Sequence, residues 1–355
     1  MATLTSMPPE ITLLVAESLN PKDASRFAAI NRNTWQICAS LIATHKDLTQ
    51  KYGFICPTAD DFTMWNLLDE LNATPRVADY VQELELNMDK IFYFDPKHRW
   101  HNGGMPSVRP SLQDVDRYLT FANGVGFLHN STIVEDLRNT MEMGYTDPIV
   151  VIVLSQLHAL DKLRMIPCSA DECLQRGLQE LVAACVQSTY ISHSHGPFEN
   201  LKKVQLSHDD TEGCSGWEWA VVFTRLPNLE FFSAHMLGGS LQSVREDQDG
   251  LHNGVGRWAP AKSPTSNLKT LSLSSSMVSR EVIDIILSNC KALETFEYDN
   301  GGASISWDAE YDPRGIMHSV MKYCSHSLTR LVLQNIDEDE SVSFHTEQPI
   351  KPALT

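Results

Sequence analysis

His193-Ser194-His195, followed by His208 and Asp209, is the stretch of this chain whose residue types come closest to a metal site. Zinc needs four ligands at defined spacing. Two imidazoles at i and i+2 in a loop, with no further ligands in step, do not supply them. Cys214 lies near His208 and Asp209, but a nucleophilic thiol needs a base and a group that orients the base, and no such arrangement is legible here. Gly124-Val125-Gly126 lacks the strand-to-helix setting of a phosphate cradle, and neither a P-loop nor a G-x-S-x-G elbow occurs. Trp217 and Trp219 read as parts of a packed helix. The residues therefore point to binding rather than catalysis, with no metal and no cofactor expected.

The totals narrow the class of partner. Of 355 residues, 42% are apolar and 21% charged, the composition of an ordinary folded protein. A formal charge of -17 argues against nucleic acid, because phosphate neutralisation requires clustered Lys and Arg. Residues 1–45 carry Lys22, Arg26 and Arg32 against Glu10, Glu17 and Asp23, so the rest of the chain holds the whole excess. The longest strongly apolar run, Ile149 to Leu154, is too short to span a bilayer, and the N-terminus lacks the basic flank of a secretory signal. Eight scattered cysteines with no C-x-x-C suit a reducing compartment, so a cytoplasmic or nuclear location is expected, with no membrane partner.

The elements that organise the chain emerge from self-comparison. The pattern apolar-x-x-apolar-x-apolar recurs at Val81/Leu84/Leu86, Leu160/Leu163/Met165, Leu201/Val204/Leu206 and Leu229/Phe232/Ala234. It returns at Leu268/Leu271/Leu273, Leu293/Phe296/Tyr298 and Leu328/Leu331/Leu333. Alternation at the second and third positions predicts a short half-buried strand. Amphipathic stretches precede most copies: 147–157, 171–186, 217–223, 279–288 and 313–323. Helix and strand alternating in this order predict an α/β chain with a parallel sheet. The spacing is uneven, 28 residues from Leu201 to Leu229 but 39 from Leu229 to Leu268. Residues 87–131 and 238–266 do not fit the period, and the acidic run Asp337-Glu338-Asp339-Glu340 opens a tail expected to be solvated or to fold back.

This pattern resembles a leucine-rich repeat. That resemblance implies an irregular solenoid over residues 46–336, and a buried Asn or Cys three places after the last strand apolar. Cys168 fits that place, while Asp209, Ser276, Gly301 and Ile336 depart from it, so a regular polar ladder is not expected. By strand alternation, the flanking residues form the face opposite the core. On it, Lys162, Arg164, Lys203, Gln205, Phe231 and His235 are the candidate target-binding residues, read as a basic patch with an apolar anchor for an acidic or phosphorylated segment.

Residues 1–45 read as three short helices. In the first, Ile11, Leu14, Val15 and Leu19 share a side; Asn20 and Pro21 begin the second, whose inner face carries Phe27 and Ile30; Trp35, Cys38, Leu41 and Ile42 mark the third. Leu4, Met7-Pro8-x-Glu10-Ile11, Leu14, Leu19, Asp23, Phe27, Ile30 and Trp35 resemble the F-box, with Met7 where Leu is commoner. The resemblance implies that Leu4, Met7, Pro8, Glu10, Ile11, Leu14, Leu19 and Phe27 dock a Skp-type adaptor of a cullin ubiquitin ligase. The domain reading is then F-box 1–45, repeats 46–336 and tail 337–355. The expected function is a non-catalytic substrate-recognition subunit that holds an unidentified target protein. The alternatives are a scaffold outside the ligase or, further off, an α/β hydrolase-like enzyme.

Overall fold

The structure, a computed structural model, describes residues 7–57, 63–88, 110–124, 131–167, 172–187, 196–208, 213–240, 260–301, 311–335 and 340–345. It is α/β. Three helices come first: α1 (Pro9–Ser18), α2 (Pro21–Ala28) and α3 (Arg32–Tyr52). The expected boundary at residue 45 falls inside α3. Short β1 (Phe54–Ile55), α4 (Thr63–Ala73), a 3-10 turn (Pro75–Asp79) and β2 (Glu83–Asn87) follow. Helices α5 (Leu112–Gly124), α6 (Ser131–Glu142) and α7 (Asp147–Gln156) precede β3 (Lys162–Ile166); α8 (Glu172–Gln187) precedes β4 (Lys203–Leu206). Then come β5 (Ser215–Gly216), α9 (Glu218–Phe223), β6 (Phe231–His235), β7 (Leu237–Gly239) and β8 (Thr270–Val278). The last elements are α10 (Arg280–Ser288), β9 (Thr295–Asn300), α11 (Pro313–Tyr323), β10 (Arg330–Asn335) and β11 (Glu340–His345).

The main sheet runs β1-β2-β3-β4-β6-β8-β9-β10-β11, in chain order and parallel through β10. All seven strands expected from the repeat pattern form, and their apolar positions are buried, from Val81, Leu84 and Leu86 to Leu328, Leu331 and Leu333. Helices α4, α7, α8, α9, α10 and α11 pack one after another and share one continuous core with the strands. The Ile149–Leu154 run lies wholly inside it, because α4, α5, α6 and α8 all pack on α7. Gly177 lets α8 approach: a Cβ there would stand 2.6 Å from a methyl of Val151.

Two expectations need amendment, and the structure decides between the alternatives for a third. The 87–131 stretch is partly regular, since α5 occupies its second half. Of the two expectations for the tail, folding back is the one the structure shows at 340–345, where β11 pairs antiparallel with β10 and covers that edge of the sheet. Asp337, Glu338 and Asp339 lie outside the described residues, as do Cys168 and most of the 238–266 stretch. A short polar ladder does exist, with Asn300 and Asn335 one residue earlier than the expected places and Ser276 at its own. Asn300 Nδ2 donates to Asn335 Oδ1 at 3.2 Å, and Tyr298 Oη donates to Asn300 Oδ1 at 3.1 Å. Ser276, in register with Asn300, accepts from the Leu237 backbone N–H at 3.1 Å. These side chains satisfy buried polar groups where the strands end. Met236 (φ 59°) and Ser275 (φ 48°) adopt left-handed backbone side by side, turning β6 into β7 and bending β8 so that its second half pairs with β7.

Candidate protein-docking surfaces

The N-terminal helices have explicit local causes. The Pro8 carbonyl accepts from the backbone of Ile11 and Thr12, and Pro9 takes the first helical position, where no N–H is needed. Asn20 caps α2 by accepting from Asp23 N at 2.9 Å, and Asn31 caps α3 by accepting from Thr34 N at 2.8 Å. The three helices meet over a core of their own made of Ala16, Ala28 and Cys38, with Phe27, Ile37, Leu41 and Ile42 packed against it. Small residues at the centre let the helices approach closely, but they leave the large apolar side chains outside.

Ile11 is 45% exposed, Leu14 59%, Ile30 60% and Trp35 48%. The sequence placed Ile30 on the inner face of α2 and Trp35 with Cys38. Instead α2 stops at Ala28, and the Asn31 break throws both outward. Val15, Leu19 and Phe27 are half-buried, Met7 is half-buried, and Pro8 and Glu10 are exposed. Leu4 lies outside the described residues.

This unit is fastened to the sheet. Arg76, in the 3-10 turn before β2, donates from Nη1 to the Glu17 carbonyl at 2.7 Å and from Nη2 to the Leu19 carbonyl at 2.9 Å. These are carbonyls left unsatisfied at the end of α1, where a cation also complements the helix dipole. Arg76 lies 3.6 Å from Asp79, and Asp79 lies 2.8 Å from His158 Nε2. Burial alone would raise the Asp79 carboxyl, but the hydrogen bond and charge of His158, with Arg76, hold it below the usual range. On α3, His45 Nδ1 lies 2.6 Å from Tyr80 Oη, and burial followed by the Arg76 charge lowers the imidazole.

The solvent-facing side of the sheet forms registered rows. Phe54, Glu83, Lys162, Lys203, Phe231, Thr270, Thr295 and Arg330 lie across neighbouring strands, and one row on come Glu85, Arg164, Gln205, Ser233, Ser272 and Glu297. Lys162, Arg164, Lys203, Gln205 and Phe231 are thus brought together, while His235 sits further along β6, 3.1 Å from Ser274 Oγ.

The expected free basic patch is not present. Lys162 pairs with Glu83 at 2.8 Å, and Arg164 pairs with Glu83 at 3.3 Å and Glu85 at 3.0 Å while donating to Gln205. The Lys162 hydrogen bond, more than the Arg164 and Lys203 charges, holds the Glu83 carboxyl low. Phe231 is half-buried rather than exposed. Sequence reading missed Phe54, 52% exposed at the head of the first row, because a two-residue strand shows no alternation.

Of the chemistry-bearing stretch, His193, Ser194, His195 and Asp209 lie outside the described residues. Among the described residues no cluster of three or more His, Cys, Asp or Glu could hold a metal ion, and no helix is long and apolar enough to cross a membrane. Burial, then the charge of Glu218, pushes the Cys214 thiol up, away from the thiolate a nucleophile requires. Trp217 and Trp219 are buried at the start of α9.

Burial also pushes the Glu218 carboxyl up to about 7 from an ordinary value of 4.5. The folded state therefore holds a proton that the unfolded chain gives up, and stability falls as pH rises from about 4.5 through 7. Glu218→Gln should remove that decline, gaining up to about 3 kcal/mol at pH 8 and little at pH 4. Urea unfolding midpoints at both pH values check this; an equal decline in the variant would assign the dependence to other groups.

No protein-family model matches the chain, and no curated protein matches it.

Proposed function

We propose that this chain is the substrate-receptor subunit of a Skp–cullin–F-box ubiquitin ligase, an F-box joined to an irregular leucine-rich-repeat solenoid. The observation that carries the reading is the set of large apolar side chains, Ile11, Leu14, Ile30 and Trp35, left exposed on a helical unit with its own small core. Burying such side chains stabilises by about 1.5–3 kcal/mol each, which favours a partner over solvent. The Met7-Pro8-x-Glu10-Ile11 resemblance names that partner as a Skp-type adaptor. Parallel strands in chain order, backed by helices on one side, support the solenoid reading.

In this mechanism the chain performs no bond chemistry. It would hold a target on the solvent-facing side of the sheet while the adaptor ties the unit to a cullin, raising the effective concentration of target lysines at the transfer enzyme. Such an assembly works in the cytoplasm or nucleus. The experiment is co-expression of the full chain with a Skp-type adaptor and a cullin. The reading requires one stoichiometric complex containing all three. Capture of the adaptor without the cullin would instead favour a scaffold outside the ligase, and capture of neither would refute the reading.

A further inference from the structure

Along α3, Cys38, His45 and Tyr52 are buried at seven-residue intervals. Cys38 belongs to the small N-terminal core and Tyr52 to the large core under the sheet, each about 10 Å from His45 along the helix. His45 therefore stands at the seam between the two cores, a titratable ring where a continuous core would have an apolar one. It is 4% exposed. Its Nδ1 lies 2.6 Å from Tyr80 Oη, and its Nε2 is shut away from water with no hydrogen-bond partner. A neutral imidazole carries one N–H, and a hydroxyl that can donate or accept satisfies Nδ1 in either tautomer. The imidazolium carries two N–H groups and a charge. Its Nε2–H would be a buried donor without an acceptor, and its charge would be taken out of water. Arg76 and Asp79, on the 3-10 turn that precedes Tyr80, are the charges that bear on the ring. Arg76 repels a second cation. Asp79 is already engaged, 2.8 Å from His158 and 3.6 Å from Arg76. Elsewhere around α3 the charges face solvent or one another. Glu17 of α1 is exposed, as are Lys46 and Asp47 beside the ring in sequence. Asp23 and Arg26 of α2 pair at 3.1 Å, and Lys51 pairs with Glu70 of α4 at 3.2 Å. Neither residue of β1 is ionisable.

We propose that His45 is an acid-sensitive latch between the N-terminal helices and the sheet: neutral, it holds α3 on Tyr80, and protonated, it lets the seam open. The ring takes its second proton from solvent in the open state, where water can meet both nitrogens. Burial first, then the Arg76 charge, lowers the His45 imidazole from its ordinary 6.5, and the Asp79 charge offsets only part of this. The closed chain therefore binds that proton less readily than the open one. The stabilisation is fully present above 6.5 and is lost as pH falls below it, by up to about tenfold in the opening equilibrium per pH unit. Two other groups work in the opposite sense. Glu218 stabilises as pH falls, and it lies on α9, which packs on α8 and α10. A charged His158 would strengthen its pair with Asp79 and so tighten the turn. The latch goes beyond the receptor reading and is independent of it, since it concerns the chain alone. Under that reading, opening would loosen the docking unit from the sheet that holds the target.

The test is amide hydrogen exchange on the full chain at pH 7.5 and pH 5.5, corrected for the intrinsic effect of pH on exchange. Opening of residues 32–48 and 75–80 should rise at least about threefold at the lower pH, while β8–β10 show no rise. His45→Gln keeps an amide that can meet Tyr80 but cannot take the charge, and it should abolish the rise. His158→Gln should retain it. A rise under threefold, a rise shared by β8–β10, one kept in His45→Gln or one lost in His158→Gln would each overturn the latch. Should His45→Gln fail to fold, the wild-type chain still decides. Exchange of the carbon-bound hydrogen between the ring nitrogens, followed across pH by mass spectrometry, gives the midpoint of His45, the one histidine in residues 32–52. A midpoint below 6.5 is expected, and one at or above 6.5 would overturn the proposal.

Discussion

Replacing Ile11 and Leu14 together by Asp should abolish the proposed association with a Skp-type adaptor, weakening it at least 100-fold, about 2.7 kcal/mol or more. Both side chains are largely exposed, so the substitutions remove little packing from the folded chain, and the small core at Ala16, Ala28 and Cys38 is untouched. In a complex the same positions would be buried, and a carboxylate there is desolvated without a partner, the costliest kind of interface change. Titration calorimetry against the adaptor gives the loss, and an unchanged thermal midpoint shows that the fold survives. Binding within threefold of wild type would place the adaptor elsewhere. Leu112 and Met143 are also exposed apolar residues, but they lie outside the N-terminal unit. Leu112→Asp therefore serves as the control that should bind normally.

Arg76→Ala should separate two properties that the intact chain keeps together. Its guanidinium holds the last turn of α1 against the turn that leads into β2. Without it, amide exchange at the end of α1 should rise about tenfold or more, as expected for loss of hydrogen bonds worth about 1.4 kcal/mol net. Adaptor affinity should stay within threefold of wild type, because Ile11, Leu14, Ile30 and Trp35 remain in place. Ubiquitin transfer to a bound target should fall by about an order of magnitude, since it depends on a fixed geometry between the docking unit and the sheet. Arg76→Lys cannot present two donors in one plane and should recover only part of the exchange protection. Unchanged exchange in Arg76→Ala would show that the α3–β1 connection and the His45–Tyr80 contact hold the unit unaided.

The seven principal strands were legible because period-two alternation and a leading apolar residue leave a mark at each copy, as in Leu268/Leu271/Leu273. What escaped was set by pairing across the chain. Lys162 and Arg164 read as free cations because Glu83 and Glu85, their neighbours in register, lie 79 positions away for each directly opposed pair. The ladder at Asn300 and Asn335 was sought one residue too late, at Gly301 and Ile336. In the N-terminal unit, type did not distinguish inside from outside. Ala16 and Ala28 are buried because they are small enough for helices to meet there, and Ile30 is exposed because the helix has ended before it. Phe54 in a two-residue strand and the contact of His45 with Tyr80 left no trace in the sequence.

The exposed apolar side chains of the first 35 residues are the proposed docking surface for a Skp-type adaptor. Hydrogen exchange on the purified full chain, with and without one equivalent of adaptor, tests it most directly. A one-to-one complex is expected, in which protection gained on binding is confined to α1, α2 and the first turns of α3, with the sheet strands unchanged. No complex, or protection that appears on β2–β6 while 9–37 exchange as before, would contradict it.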